Sequence, residues 1–159
     1  MRARGYISCV IACPCEGPIA PCMVMEMVRG LAAMDCDEIS LGDTIGVGEQ
    51  EQVRLLLQEV VKEIPRERIA MHFHDSYGRA ISNIEASLRE GITIFDSSVA
   101  GLGGCPFAPG APGNVATEAV LDLMQHLGIE TGVDRAAVAE TGAWIRKILR
   151  REGSELLRC

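Results

Sequence analysis

The sequence predicts an α/β fold of about four parallel strands with flanking helices and one further C-terminal helix. Four short apolar runs recur at intervals of roughly 25 to 30 residues, the length of a βα unit. These runs are residues 5–12, 37–41, 68–73 and 92–96. Segments with helical periodicity lie between them, and alternating strands and helices with short links imply parallel strands joined by right-handed crossovers.

The number of strands fits two architectures. Four βα units are half of an eight-stranded barrel, which usually needs ~250 residues, whereas this chain has 159. The same spacing is compatible with a small doubly wound sheet. Periodicity leaves both architectures open, so the motifs have to decide between them.

Apolar residues three and four positions apart identify the predicted helices. Gly128 directly follows the fourth of these stripes, which suits a helix C-cap. Residues 134–150 are predicted to form a final surface helix with Trp144, Ile145 and Ile148 turned inward. The residues expected to face the core from the first four helices are Val24, Met27, Val28, Leu31, Val53, Leu56, Leu57, Val60, Val61, Ile64, Ile81, Ile84, Leu88, Val120, Leu123, Met124 and Leu127.

The composition excludes several classes of protein. A formal charge of -7 argues against nucleic-acid binding, which normally needs a basic face. The apolar stretches are too short to span a membrane, and the N-terminus has no apolar signal core, so we expect no membrane association. Seven cysteines, an odd number, fit a reducing compartment. We expect a cytoplasmic protein, and an organellar matrix fits as well.

Two histidines close the third predicted strand, in the segment His72-Phe73-His74-Asp75. Side chains two positions apart on a strand share a face, so His72 and His74 should lie on one side and Phe73 on the other. Two neutral imidazoles at the carboxyl end of such a strand can bind one metal ion. Taken alone, the pair more often consists of rim residues hydrogen-bonded to backbone or carboxylates.

A glycine-rich loop that contains one cysteine follows the fourth predicted strand. Three of the four residues 101–104 are glycine, which provides a hinge and lets the backbone approach a ligand closely. A thiol, with a reference pKa of ~8.5, exchanges protons near neutral pH when its neighbours tune it. Cys105 is therefore the best general acid/base candidate, although the residues alone fit an exposed thiol on a surface turn equally well.

Two further polar residues have a structural and a functional interpretation. Asn114 precedes a predicted helix, where its side chain can cap the helix or its amide oxygen can bind a cation. Asp43 follows the second predicted strand, where it fits a Gly-Asp-Thr turn or an acidic group that supports a site.

Together these motifs resemble the 3-hydroxy-3-methylglutaryl-CoA lyase family. The stretch SSVAGLGGCPFAPGAPGN at residues 97–114 is long and specific, and the segments 42–44 and 72–75 add to it. The resemblance runs from Arg4, on what would be the fifth barrel strand, to the helix around Trp144. It implies the C-terminal half of a TIM (β/α)8 barrel. The enzymes of this family are metal-dependent, and they share the barrel with related synthases.

The resemblance also implies domain limits and a reaction. Residues 1–150 would form a partial, half-barrel lyase domain, and residues 151–159 a C-terminal tail. The implied enzyme is a carbon-carbon lyase that cleaves 3-hydroxy-3-methylglutaryl-CoA into acetyl-CoA and acetoacetate, a step of leucine degradation and ketone body metabolism. Its substrate would be this acyl-CoA, and its cofactor a divalent cation, Mg²⁺ or Mn²⁺.

Site roles carry over from the family by position. His72, His74 and Asn114 match its metal ligands, and Cys105 matches its catalytic cysteine. His72 is also expected to assist proton transfer, and Asp43 to support the site through hydrogen bonds. The positions that depart from the family are Ala12 and Cys15, where it usually has Gly and Tyr, and Pro112, where it has a small residue.

The family's Arg-Asp pair on the first strand and its Glu on the second fall in a half barrel that this sequence does not contain. We therefore expect the chain to pair, as a homodimer or with a complementary N-terminal half barrel. Two alternatives remain open. One is a truncated, catalytically silent half barrel that binds metal or acyl-CoA without turnover, and the other is a related Claisen-type synthase, which the Gly-Gly-Cys-Pro loop disfavours.

Overall fold

The computed structural model describes residues 1–103 and 113–156, with side chains described up to residue 149. Six strands lie in this part of the chain: β1 Arg4–Ile7, β2 Ala12–Cys13, β3 Gly17–Pro18, β4 Glu38–Asp43, β5 Ile69–Phe73 and β6 Ile94–Asp96. The helices are α1 Pro21–Ala33, α2 Gln50–Val60, α3 Ala80–Arg89, α4 Thr117–His126 and α5 Arg135–Leu156, and short 3-10 turns occupy Arg66–Arg68 and Val99–Gly101.

The described sheet has four parallel strands in the order β1-β4-β5-β6, as the sequence predicted. The two-residue strands β2 and β3 form a separate antiparallel hairpin. The predicted first strand, residues 5–12, is divided between β1 and this hairpin. Cys9, between the two, has a φ of 60°, which interrupts extended backbone.

The two faces of the sheet have different environments because side chains alternate along each strand. One face is apolar and packs against the helices, with Ile39 and Leu41 of β4 beside Met71 and Phe73 of β5, all essentially inaccessible to solvent. The other face includes Ser40 and His72. The polar side chains of Ser40 and His72 therefore lie on the face away from the helices.

The predicted helix stripes are confirmed for most residues and wrong for three. Val24, Leu56, Ile84 and Met124 are among the predicted residues that are buried. The predicted inward residues that the structure exposes are Met27 at 55%, Leu127 at 40% and Trp144 at 59%. Met27 and Trp144 lie at the margins of their apolar stripes, whereas Leu127 is the C-cap residue that follows the last residue of α4.

The C-terminal helix begins one residue after its predicted start and continues to Leu156, so the first six residues of the predicted tail are helical. The limit at residue 150 remains a prediction. Gly128 has a φ of +69°, which confirms the predicted cap of α4. In the described ranges, no helix is long and apolar enough to cross a membrane.

Candidate metal centre

The predicted histidine pair is brought together at the carboxyl end of β5. The His72 and His74 ring centroids lie 5.2 Å apart, with an angle of 65° between the ring planes. Phe73, between them, is buried on the opposite face. Alternation along the strand therefore places both imidazoles on one side, as the sequence predicted.

Each histidine has a partner for its Nδ1 atom. His74 Nδ1 hydrogen-bonds to the Thr44 carbonyl oxygen, which can only accept, so the proton lies on Nδ1. His72 Nδ1 faces Asp96 Oδ2 at 3.4 Å. Metal-binding histidines typically donate one ring N–H to a carbonyl or carboxylate in this way, which leaves the lone pair of Nε2 for a cation.

Asn114 lies directly beside His74, with which it forms an isolated antiparallel bridge. The interpretation of Asn114 as a helix cap is wrong, because α4 begins at Thr117 and its N-cap is Ala116. The amide nitrogen of Asn114 donates to the Leu102 carbonyl at 3.0 Å. Its Oδ1 atom is buried and has no hydrogen-bond partner among residues 1–103 and 113–149, whose side chains the structure describes. A buried oxygen of this kind is costly unless something binds it.

A glycine makes room for this side chain. A Cβ atom at Gly103 would lie 2.6 Å from Asn114 Nδ2, and the φ of Gly103 is +107°. The segment around Asn114 is fixed to the end of β5, since Asp75 N donates to Gly113 O at 3.0 Å and Val115 N donates to Phe73 O at 3.1 Å. The backbone thus positions Asn114 next to the histidine pair.

Asp43 is buried at the end of β4 and organises the loop that follows. Its carboxylate accepts the N–H of Gly48 at 2.8 Å and that of Val47 at 3.3 Å. Burial raises the pKa of Asp43, and these backbone hydrogen bonds and the neighbouring His74 partly offset the effect. The same loop contains Thr44, whose carbonyl orients His74.

Asp96 was not singled out from the sequence, although it belongs to the same polar face. Its Oδ1 lies 2.8 Å from Arg4 Nη2, and its Oδ2 accepts the Ser40 hydroxyl at 3.0 Å. Burial would raise the pKa of Asp96, but the contacts with His72, Arg4 and Ser40 outweigh burial, so the pKa is lowered. Asp96 is therefore a charged group next to the Nδ1 atom of His72.

A cleft of about 160 Å³ opens beside the two histidines, His72 and His74. Its walls are formed by the carboxyl ends of β1, β4 and β5 and the residues that follow them, Tyr6, Ile7, Ser8, Gly42, Thr44, His72 and His74. In parallel α/β folds, ligands bind at this edge. The cleft is small, and β1 and β6 are the outer strands of the described sheet, so a larger ligand would extend beyond these walls.

Two observations limit which side chains can be assigned as metal ligands. Cys105, the predicted catalytic cysteine, lies outside the described residues. Within residues 1–103 and 113–156, no group of three or more His, Cys, Asp or Glu side chains could hold a metal ion. Asn114 is not among those residue types. The candidate donors are thus two imidazole nitrogens and one amide oxygen, a mixed set that suits Mg²⁺ or Mn²⁺ better than a thiolate-seeking metal.

Fold and site together define a parallel α/β protein with a candidate metal centre at the carboxyl edge of its sheet. The chain belongs to the HMGL-like family, whose sequence model matches residues 2–145. This confirms the resemblance on which the site roles were based.

Individual relatives support this family assignment. The chain is 56% identical over 149 residues to the 3-hydroxy-3-isohexenylglutaryl-CoA/hydroxy-methylglutaryl-CoA lyase of Pseudomonas aeruginosa, covering 94% of this chain and 50% of that protein. It is 49% identical over 148 residues to the cytoplasmic 3-hydroxy-3-methylglutaryl-CoA lyase of Mus musculus, covering 93% of this chain and 43% of that one.

A solved structure confirms the fold. The chain matches the crystal structure of hydroxymethylglutaryl-CoA lyase from Pseudomonas aeruginosa with a TM-score of 0.90 at 57% identity, covering 93% of this chain and 49% of that one. The chain thus spans about half the length of the relatives it matches. The fold is that of half a barrel, which removes the doubly wound sheet as an alternative.

Proposed function

We propose that the chain supplies the metal-binding half of a carbon-carbon lyase that cleaves 3-hydroxy-3-methylglutaryl-CoA into acetyl-CoA and acetoacetate. The observation that carries the proposal is the buried Oδ1 of Asn114 beside His74, which has no hydrogen-bond partner in the described part of the chain. An acceptor oxygen in that position is stabilised when a cation binds it. The names of the relatives support the substrate class.

His72, His74 and Asn114 would hold the cation, Mg²⁺ or Mn²⁺. When bound, a divalent cation lowers the pKa of the substrate hydroxyl and neutralises the charge that develops as the carbon-carbon bond breaks. The protein's part is to keep the ligands in position. Thr44 fixes the His74 ring through its carbonyl, and Asp96 faces the Nδ1 atom of His72.

The remaining steps are assigned to this chain by family resemblance. The thiol of Cys105 would protonate the acetyl-CoA carbon as it departs. His72 would assist removal of the hydroxyl proton indirectly, by holding the cation that lowers the pKa of the hydroxyl. Asp43 would act indirectly, since its hydrogen bonds hold the loop that carries Thr44.

A second half barrel is part of the proposal. The outer strands β1 and β6 of the described sheet have one neighbouring strand each in that sheet. Parallel sheets of this type are covered or closed, because open edges and apolar faces promote association. The other half could come from a homodimer or from a complementary N-terminal half barrel. We place the protein in the cytoplasm, with an organellar matrix as the alternative.

The test is a reconstitution assay. The full 159-residue chain is mixed with the N-terminal half of the Pseudomonas aeruginosa relative, and acetoacetate release from 3-hydroxy-3-methylglutaryl-CoA is measured with Mn²⁺ and with EDTA. We expect Mn²⁺-dependent release that Cys105→Ala lowers by a factor of about 10²–10⁴. Cys22→Ala, an exposed cysteine on α1, is the matched control and should leave the rate unchanged.

Other outcomes distinguish the alternatives. Mn²⁺ binding without turnover in the mixture would favour the catalytically silent half barrel. Condensation of acetyl-CoA with a 2-oxo acid, without cleavage, would favour a Claisen-type synthase. Turnover by the chain alone would favour a site completed by a second copy.

A further inference from the structure

The turn that follows β6 is held by a side chain of the next helix. The N–H of Ala100, in the 3-10 turn Val99–Gly101, is shared between the two carboxylate oxygens of Glu118 on α4, at 2.9 Å from Oε2 and 3.1 Å from Oε1. The Glu118 side chain is only 17% exposed, so little water competes for this contact. A hydrogen bond to a charged acceptor is stronger than one between neutral groups. Glu118 thus fixes the turn onto α4.

Ala100 has an uncommon backbone conformation that needs such a partner. Its φ of 61° lies in the left-handed region, which a residue with a Cβ atom adopts at an energetic cost. Residues in this conformation persist where the surrounding structure holds them. Without the Glu118 carboxylate, the turn should therefore relax toward an ordinary backbone conformation.

A glycine on α5 provides the space that this carboxylate occupies. A Cβ atom at Gly142 would collide with Glu118 Oε1, and it would lie 3.5 Å from the Cβ atom of Ala100. Because the carboxylate is the end of a flexible side chain, it would move before the helix does. Arg146, one turn further along α5, lies 4.0 Å from the same oxygen. The C-terminal helix therefore helps to determine where the Glu118 carboxylate lies.

The turn in its turn orients Asn114. Leu102 directly follows the turn, with its N–H donating to Val99 O at 3.2 Å, and its carbonyl accepts from Asn114 Nδ2 at 3.0 Å. A Cβ atom at Gly101 would lie 3.2 Å from Asn114 O, so the turn packs closely against that residue. Because the side-chain amide is planar, the bond from Nδ2 also fixes the direction of Oδ1.

The residue before the turn is attached separately. Ser98 N donates to Val115 O at 3.0 Å, and Ser98 O accepts from Thr117 N at 2.9 Å. These bonds do not involve Glu118. Loss of the Glu118 contact should therefore loosen the turn without detaching the end of β6 from α4.

We propose that Gly142 and Glu118 are positioning residues of the candidate metal centre. They fix the turn whose Leu102 carbonyl orients the Asn114 amide, and neither would touch the cation. The inference rests on the proposed function in one respect, that Asn114 is a cation ligand. Groups that orient a metal ligand typically change metal affinity by a factor of about 10 to 100 when they are altered.

The first measurement uses the full chain without metal. Amide hydrogen exchange, followed by NMR, reports whether the Ala100 N–H is protected. We expect protection in the unmodified chain and its loss in Gly142→Ala and in Glu118→Ala. The amides of β5 should exchange at the same rate in all three chains, which verifies that the sheet is intact.

The second measurement is Mn²⁺ affinity by titration calorimetry. Gly142→Ala and Glu118→Ala should each bind Mn²⁺ about 10-fold more weakly or worse, although neither removes a ligand. Glu118→Gln retains an acceptor oxygen for the Ala100 N–H and should restore both the protection and the affinity. Gly30→Ala is the matched control, since Gly30 lies inside α1 with nothing within 4 Å of an added Cβ atom. It should change neither quantity.

Three results would overturn the inference. One is an Ala100 N–H that stays protected in Gly142→Ala. Another is lost protection with unchanged Mn²⁺ affinity, which would separate the turn from Asn114. The third is an equal loss of affinity in Gly30→Ala. An unmodified chain that binds no Mn²⁺ would overturn the proposed function as well, and the exchange data without metal distinguish that failure from the other three.

Discussion

His72 on β5 and Asp96 on β6 are direct neighbours across the sheet, with Nδ1 of the imidazole 3.4 Å from Oδ2 of the carboxylate. Asp96 also pairs with Arg4 on β1 and accepts the Ser40 hydroxyl on β4. One carboxylate thus contacts side chains from the other three strands of the described sheet. It connects the stability of the sheet with the orientation of a candidate metal ligand.

Replacing Asp96 with Asn should lower stability in a pH-dependent way. The pKa of Asp96 is lowered in the folded chain, so its charge stabilises the fold fully above the unfolded value of ~3.9. This contribution is lost as the pH falls through the folded pKa. We expect Asp96→Asn to reduce the free energy of unfolding by about 1–3 kcal/mol at pH 7. Urea unfolding of the metal-free chain at pH 7 and below pH ~4 measures the difference.

Asp122→Asn is the control for this prediction. Asp122 pairs with Arg135 at 2.5 Å, but both side chains are about half exposed. Exposed ion pairs contribute little, so the loss at pH 7 should be below about 1 kcal/mol. A loss for Asp96→Asn that is equally small, or that grows as the pH falls, would contradict the role given to Asp96.

Removing the buried amide oxygen of Asn114 should weaken cation binding. Mn²⁺ should raise the melting temperature of the unmodified chain, because a ligand that binds only the folded state stabilises it. With Asn114→Ala or His74→Ala we expect Mn²⁺ affinity to fall more than ~10-fold and the shift to shrink accordingly. His126→Ala, on α4, is the matched control and should retain the shift. An unchanged shift in Asn114→Ala would remove Asn114 from the ligand set.

The sequence predicted the strands and the histidine pair because both depend on local periodicity. Alternation along β5 places His72 and His74 together whatever surrounds them. The contact between His72 and Asp96 was not predictable in this way, because it depends on the register of two parallel strands joined by a helix. The register is determined by packing over the whole layer, and one sequence does not reveal it.

The sequence-based interpretations that the structure contradicts have a similar origin. Asn114 was interpreted as a cap or a ligand because both use the same amide, and only the start of α4 at Thr117 excludes the cap. Trp144 was assigned to the core from its position in the stripe, yet it is 59% exposed. Helical periodicity predicts a face but not how deeply each side chain at its margin is buried.

Replacing Gly46 with Ala should reduce the free energy of unfolding more than the same change at Gly128, which has the same backbone conformation. The φ of Gly46 is +68°, and a Cβ atom there would lie 2.6 Å from the His74 carbonyl oxygen. Gly128 has a φ of +69° with nothing within 4 Å of such an atom. Gly128→Ala should therefore cost about 1–2 kcal/mol for the left-handed backbone alone. Gly46→Ala should cost clearly more, because the loop must also move away from His74, and urea unfolding of both variants measures the difference.

Equal losses in these two variants would mean that the loop after β4 adapts without displacing His74. Mn²⁺ binding provides a second measurement, since the same loop carries the Thr44 carbonyl that orients the ring. We expect Gly46→Ala to weaken Mn²⁺ binding and Gly128→Ala to leave it unchanged.

Leu57 and Leu55 of α2 provide a matched test of how this helix packs onto the sheet. Leu57 is fully buried, whereas Leu55, two residues earlier, is 50% exposed. Leu57→Ala should reduce the free energy of unfolding by about 2–5 kcal/mol, because it removes buried methyl groups and leaves a cavity. Leu55→Ala should change it by no more than about 0.5 kcal/mol. Both are measured by urea unfolding. Similar losses would mean that a different face of α2 contacts the sheet, and the helix would then not position the loop at its N-terminus that Asp43 organises.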